Sequence, residues 1–411
     1  MKNHSFRRSI ELLLTRRFGT FWFACLLSNV GTWAQQVAQP WLLLSLGASS
    51  FLLGLDAFAL GAPVLLLTLV GGALADRADR RRVIGVFQSL QMLCPLLIVV
   101  LLVTGSVHPW IVIVLSLVVG ITDALSMPSF QSIVPSLVEH DQIPTAMALN
   151  STQFNISRIL GPSVAGMLMA SIGALGAFAI SAASYVPFLA AAFWVLPRAG
   201  RRASAGARIE PGGLLAGVRR IAGLAALRGS VLTALVNSLL CAPLITFCPV
   251  LVQQIHQGDV THFSLTIAAF GTGGLIGGIG LLGVDPSRDR RPISSWSAVL
   301  YAAVVALAAL NPWSWALPLV FALAGMAMAV SNVSANTFLQ SEAPQRVRGQ
   351  AISLYMLAMR GGVAIGGLLT GISVSALGIR EALLINAALA VTAQVAIGRV
   401  WLRQPLPRPA A

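Results

Sequence analysis

Charge is what this sequence has least of. Only 10% of its 411 residues are Asp, Glu, Lys or Arg, against about a quarter in soluble globular domains. Together with 56% hydrophobic residues and a mean hydropathy of +0.83, that scarcity excludes a water-soluble domain and indicates an integral membrane protein. Lysine is nearly missing, Lys2 being the only one. With no Gly-rich loop ending in lysine, the chain has nothing to cradle the phosphates of ATP, so ATP hydrolysis is excluded as its driving force. The four cysteines, Cys25, Cys94, Cys241 and Cys248, lie in apolar runs without CxxC spacing or a nearby histidine. They read as small core residues, and a structural zinc site is not expected. There is no HExxH pattern and no set of nucleophile, base and orienting group, so neither an enzyme nor a cofactor is expected.

What charge there is has a pattern. The formal net charge is +14, but the basic residues fall between long apolar segments, which points to orientation in a bilayer and away from nucleic acid. A helix needs about 20 mostly apolar residues to cross the hydrocarbon core. Twelve such stretches are expected, near 18–46, 52–74, 83–104, 109–131, 144–170, 173–196, 229–254, 263–284, 292–310, 314–338, 349–375 and 381–402. The fold class is therefore an all-α membrane protein of two six-helix bundles, 18–196 and 229–402. A linker at 197–228 carries Leu214, Val218, Ile221 and Leu224 at helical spacing, an interfacial helix, and a short tail follows at 403–411. The start, residues 1–17, is basic and then apolar, but the run continues past Gln35 without a small-residue cleavage site, so it reads as part of the mature chain. Phe6, Ile10, Leu13 and Leu14 among Arg7, Arg8, Arg16 and Arg17 suit a short helix on an anionic membrane surface.

Short loops rich in Lys and Arg face the cytoplasm. Counting alternate loops from the N-terminus, all the basic residues except Arg158, Arg360 and Arg380 fall on one side, so both termini are expected in the cytoplasm. Arg158 and Arg360 precede glycine-rich segments in the fifth and eleventh spans, RILGPSVAG and RGGVAIGG, as if the halves were copies. Transporters built from such repeats bind substrate near the midplane and expose it alternately to either side.

Ionisable groups inside spans are costly and are functional candidates by default. Asp123, in GITDALSMPSF, is the one acid that the spans place deep in the membrane, with Arg158 on the next helix as counter-charge. The pair suits proton coupling; a static ion pair is the alternative. Ser28, Thr32, Gln35 and Gln39 form one stripe of the first span, with Asn29 and Gln36 beside it. The stripe either lines a substrate cavity or makes interhelical hydrogen bonds. Ser151, Asn155 and Arg158 share a face of the fifth span, and Asn332 belongs to a polar cluster in the tenth, as cavity lining or as helix glue. GTGGLIGG, from Gly271, lies inside a span with no strand before it, so close helix packing explains it better than a nucleotide fingerprint.

Between the second and third spans stands GALADRADRRR. Two sets of six spans, a basic central linker and this loop together resemble the major facilitator superfamily over nearly the whole chain. The family's loop signature is matched by Gly72, Leu74, Ala75, Asp76, Arg77, Arg80 and Arg81, with Asp79 where glycine is usual. GVDPSRDRR, with Asp285, Arg288, Arg290 and Arg291, looks like the degraded second copy. MPSFQSIVPSLV, NSTQFNISRILGPSVAG and LQSEAPQRVRGQAISLY are similar to the drug:proton antiporter branch that includes enterobactin exporters and macrolide efflux proteins. The resemblance implies a bacterial inner-membrane protein, working as a monomer, that exports a small organic molecule, a siderophore or drug-like compound, in exchange for protons. It also implies that Gly72, Asp76, Arg77, Arg80 and Arg81 act at a cytoplasmic gate, with Asp76 on the N-terminus of the eleventh helix near Gly349. Many members of the branch carry an arginine in the fourth span, but none occurs here from 83 to 157, and Arg158 is the substitute. No residue fixes direction, so an importer or facilitator is the runner-up, and a transport-dead receptor is a more distant rival.

Overall fold

The computed structural model describes residues 9–77, 79–195, 225–285, 288–344 and 348–404. Among them every regular element is helical, as it must be where lipid offers no partner to a backbone N–H or C=O. The principal helices are α1 (Phe18–Ser45), α2 (Ser50–Arg77), α3 (Arg80–Val103), α4 (Pro109–Ile133), α5 (Ile143–Val195), α6 (Ala225–Val236), α7 (Val260–Gly280), α8 (Arg290–Leu310), α9 (Leu317–Glu342), α10 (Arg348–Leu377) and α11 (Ile379–Leu402). The proposed interfacial helix of the linker and most of the basic N-terminal and C-terminal segments lie outside the described residues.

Ten helical stretches among the described residues are long and apolar enough to cross a membrane, where the sequence reading expected twelve spans. One of the ten, Thr145–Val195, has 51 residues and turns at Gly173, whose φ of 66° and ψ of −166° leave the helical region; a side chain there would be strained. The helix α1 is not among the ten. It has 28 residues, but its polar stripe lowers its mean hydropathy.

The chain divides into two compact units. One unit takes the chain up to Leu42 and resumes at Ala62; the other takes Leu43–Gly61 together with the C-terminal half. The helix α2 is therefore shared. Its first part packs on α10 through small residues: a Cβ on Gly54 would lie 2.5 Å from Gly367 O, and one on Gly61 would lie 2.5 Å from Ala364 Cβ. Pro63, two residues after Gly61, removes a helical hydrogen bond close to the division.

In the C-terminal unit α7 and α9 touch backbone to backbone. A Cβ on Gly273 would come within 1.8 Å of Ala322 O, and one on Gly325 within 1.9 Å of Phe270 O. The GTGGLIGG run is thus a packing surface of the kind small residues make in membranes. After α6 the helix widens into a π turn at Asn237–Cys241, where Ala242 N–H reaches back to Asn237 O at 2.9 Å. Pro243 follows and has no N–H to continue the ladder.

Candidate functional site

The polar stripe of α1 is turned into the N-terminal unit. Thr32 Oγ1 donates to Ser28 O at 2.9 Å, so the Tyr185 hydroxyl, 2.9 Å away, donates to Thr32. Ser181 Oγ donates to Gln35 Oε1 at 2.7 Å, and Gln39 Nε2 donates to Ser116 Oγ at 2.7 Å. Ser28, Gln35 and Gln39 are buried, whereas Asn29 and Gln36, on the neighbouring strip, are half-buried. Of the two readings of the stripe, interhelical hydrogen bonding accounts for Thr32, Gln35 and Gln39. Each such bond is worth roughly 0.6–2 kcal/mol in a membrane, and together they fix how α1 is rotated.

That rotation sets the rest. Gly31 meets Ser184, which leaves no room for a Cβ. Trp33 seats on Gly161, whose absent side chain would fall 2.3 Å from Trp33 Cβ, and its ring stands edge-on to Phe154 at 6.1 Å. Gly161 of RILGPSVAG thus positions the tryptophan next to Asn29 and Gln36. Asn155 is half-buried and donates to Ser151 O, one turn back, at 2.9 Å.

Asp123 and Arg158 are both half-buried, on α4 and in the middle of the fifth span.

A second acid lies within a membrane-length helix. Asp56 is 5% exposed and sits six residues into α2, within the membrane-length stretch Ser50–Leu67. The expected span of 52–74 placed it barely a turn from water, and the helix starts earlier. A lone acid in an apolar run is the signal that should have marked it.

Asn332, expected in a polar cluster of the tenth span, belongs to a buried network in the C-terminal unit whose centre, Asn237, was not among the residues picked from the sequence. Asn237 Nδ2, at the start of the π turn, donates to Ser331 Oγ at 3.0 Å and Asn332 Oδ1 at 3.1 Å. Gln394 Nε2 donates to Asn237 Oδ1 at 2.9 Å, and Tyr355 Oη donates to Asn332 O at 2.9 Å. Four helices meet there. Asn237 was detectable as an isolated amide in TALVNSLLCAP.

Of the expected gate residues, Gly72, Asp76, Arg77 and Arg80 lie outside the residues whose side chains are described. Arg81 is inside them. Its guanidinium donates to Phe193 O and stands 5.5 Å from the Phe193 ring centre, while Asp79 caps α3 by accepting from Arg81 N–H at 3.0 Å. The departure from the loop signature therefore has a use as a cap. The second half repeats the device. Asp289 caps α8 from Arg291 N–H at 2.9 Å, and its carboxylate pairs with the Arg291 guanidinium at 2.9 Å. Arg291, 4% exposed, donates to Trp401 O at 3.1 Å and Gln404 O at 2.8 Å and stands 5.5 Å from the Phe338 ring centre. Each half thus ties a capped helix start to the end of its own last helix, so the internal repeat extends to side-chain contacts.

Apolar helices, a shared helix between two units and polar groups held inside them define a multi-pass membrane transporter. A family model described as transmembrane secretion effector matches residues 11–407, and the chain belongs to this family of the major facilitator superfamily. It is 26% identical to the multidrug efflux pump Tap of Mycolicibacterium fortuitum, over 81% of this chain and 83% of that one. It is 22% identical to macrolide efflux protein A of Streptococcus pyogenes, over 91% and 93%. A staphyloferrin A transporter of Staphylococcus aureus is 29% identical, but the match spans 40% of this chain and only 42% of that protein. Among solved structures, the nucleoside transporter NupG superposes with a TM-score of 0.72 at 14% identity, covering 95% of this chain and all of that one. A D-xylose–proton symporter gives 0.71 at 14% identity, covering 95% and 99%. At these identities the structural likeness is one of fold.

Proposed function

We propose that the chain exports a small organic molecule across the bacterial inner membrane in exchange for protons, by alternating access, as a monomer with both termini in the cytoplasm. The observation that carries the proposal is a half-buried acid, Asp123, within the membrane-length helix α4, with the half-buried Arg158 on the next span, because ionisable groups at such positions are costly unless they serve a function. Protonating Asp123 would remove a negative charge from within a membrane-length helix of the N-terminal unit, which lowers the cost of reorienting it. In this reading Asn29, Gln36 and Asn155 meet the substrate, Trp33 offers it a stacking surface, and Ser28, Thr32, Gln35, Gln39 and Asn332 hold the frame. Arg158 is the counter-charge, and Asp56 is a second acid for protons to visit. Two relatives over most of their length are named as efflux pumps, which favours export of a drug-like or siderophore-like compound. The loop census supports the orientation. Asp76 is assigned to a latch at the N-terminus of α10, where a carboxylate is favoured by the dipole and open N–H groups, with Gly72, Arg77, Arg80 and Arg81 supporting the loop.

The test is reconstitution of the purified chain in vesicles with an imposed pH gradient, followed by flux of dyes, macrolides and siderophores. Gradient-driven accumulation that Asp123→Asn abolishes, with substrate binding retained, supports the proposal. Flux that ignores the gradient, or that is unchanged in Asp123→Asn, refutes the coupling.

A further inference from the structure

The outer surface of the N-terminal unit is mostly studded with large apolar side chains, but where α1 passes the last part of α5 it is hollow. Ala24, Pro187, Ala190 and Ala191 form the floor, and Phe23, Leu27 and Trp194 rise at the sides, enclosing a groove of about 620 Å³. Phe23 is 55% exposed and Trp194 is 66% exposed, so the groove opens outward, toward lipid. Its cause is in the sequence: small residues and proline at helical spacing on both sides of one seam leave a trough that no helix among the described residues fills.

One end of this trough is cationic. The Arg16 guanidinium lies over the Trp194 ring, 4.9 Å from its centre, and Thr20 Oγ1 holds the turn by donating to Arg16 O at 2.7 Å. Arg16 and Arg17 are both exposed. A guanidinium stacked on a ring presents its N–H edge outward, and this edge matches the oxygens of a phosphate. Tryptophan at such a level marks the boundary between headgroups and hydrocarbon. The groove therefore starts at a phosphate-binding group at headgroup height and continues as an apolar channel into the hydrocarbon layer.

We propose that this is a binding site for one anionic phospholipid, its phosphate on Arg16 and one acyl chain along the Ala24–Ala190 floor. Charge complementarity selects the occupant. A zwitterionic lipid would bring an ammonium toward Arg16 and Arg17, and a soluble phosphate would leave the apolar floor uncovered. The site is distinct from the polar interior of the unit and does not depend on the direction of pumping.

The test reads lipid, not flux, so its outcome is separable from that of the transport proposal. The full chain is taken up in vesicles of phosphatidylglycerol and phosphatidylcholine with matched acyl chains, released, and weighed by native mass spectrometry to count retained lipids. Phosphatidylglycerol should be retained preferentially, and Arg16→Gln should reduce that preference about fivefold, the effect of one interfacial arginine. Ala190→Phe, at an exposed position, fills the trough and should lower retention of both lipids. Ala388→Phe, on an exposed face of α11, should do nothing. Equal retention of the two lipids, retention unaffected by Ala190→Phe, or displacement of phosphatidylglycerol by inorganic phosphate alone would each overturn the proposal.

Discussion

Replacing Gly273 by alanine should force apart the two helices that pack most closely in the C-terminal unit. The new Cβ would stand 1.8 Å from Ala322 O, where ordinary contact begins near 3.4 Å, so α7 and α9 must separate by about 1.5 Å or one of them must bend. The neighbouring contact suffers with it, because Gly325 faces Phe270 O across the same interface. Overpacking of this kind costs about 1–3 kcal/mol, and here it falls on backbone, which cannot rotate away as a side chain can. Setting against it about 1 kcal/mol of helix propensity gained by alanine leaves a net loss of about 1 kcal/mol, or roughly 2 °C in Tm. The four cysteines are free and buried, so a dye that fluoresces on reaction with thiols reports unfolding directly. Gly280→Ala is the matched control, since nothing lies within 4 Å of a Cβ there. If both variants melt with the parent protein, the backbone contact between α7 and α9 is not what holds this pair together.

Arg291→Ala leaves the Asp289 carboxylate with only its backbone cap partner and frees the carbonyls of Trp401 and Gln404. With the aspartate partly exposed, the loss should be about 1–3 kcal/mol, and Arg291→Lys should recover only part of it because lysine cannot bridge both sites; thermal melting in detergent checks this. His256 is held below its ordinary value of 6.5 by burial first, then by His262 and Arg380, with the His262 ring 6.0 Å away. The unfolded chain therefore takes up that proton before the folded one, so stability should fall as pH drops below about 6.5, and His256→Gln should flatten the dependence measured by melting at pH 5 to 8. Asp56→Asn should leave the melting temperature within a few degrees but shift the pH dependence of flux; an unchanged profile would remove Asp56 from the proton path.

Most of the fold could be read from hydropathy, because in lipid a backbone has few alternatives and apolar length marks a span. The GTGGLIGG packing surface was equally legible, since five glycines within eight residues of a span have little other use. What the sequence concealed was facing. The stripe at 28, 32, 35 and 39 shows that one side of α1 avoids lipid, and the same pattern serves a cavity or a helix contact. Ser116, Ser181 and Tyr185 on other helices supply the hydrogen-bond partners of Gln39, Gln35 and Thr32, which no spacing along α1 could name. Asn237 was hidden for a related reason: its importance comes from four helices meeting at a π turn, and the sequence presents one amide in an apolar run. Asp56 lies inside the expected span, and its burial is set by neighbouring helices that the sequence of α2 does not display.

The sharing of α2 has a consequence in time. Gly54 and Gly61 are synthesised early, and their packing partners on α10 follow roughly 300 residues later, which at 5–20 residues per second is about 15–60 s. For that interval the small-residue face of α2 has only lipid or the translocation machinery against it. A codon change or pause late in the message, within the second half, would therefore prolong the exposure of a surface encoded near the beginning. Misassembly caused by such a pause should begin at residues 43–61, well before the segment being translated.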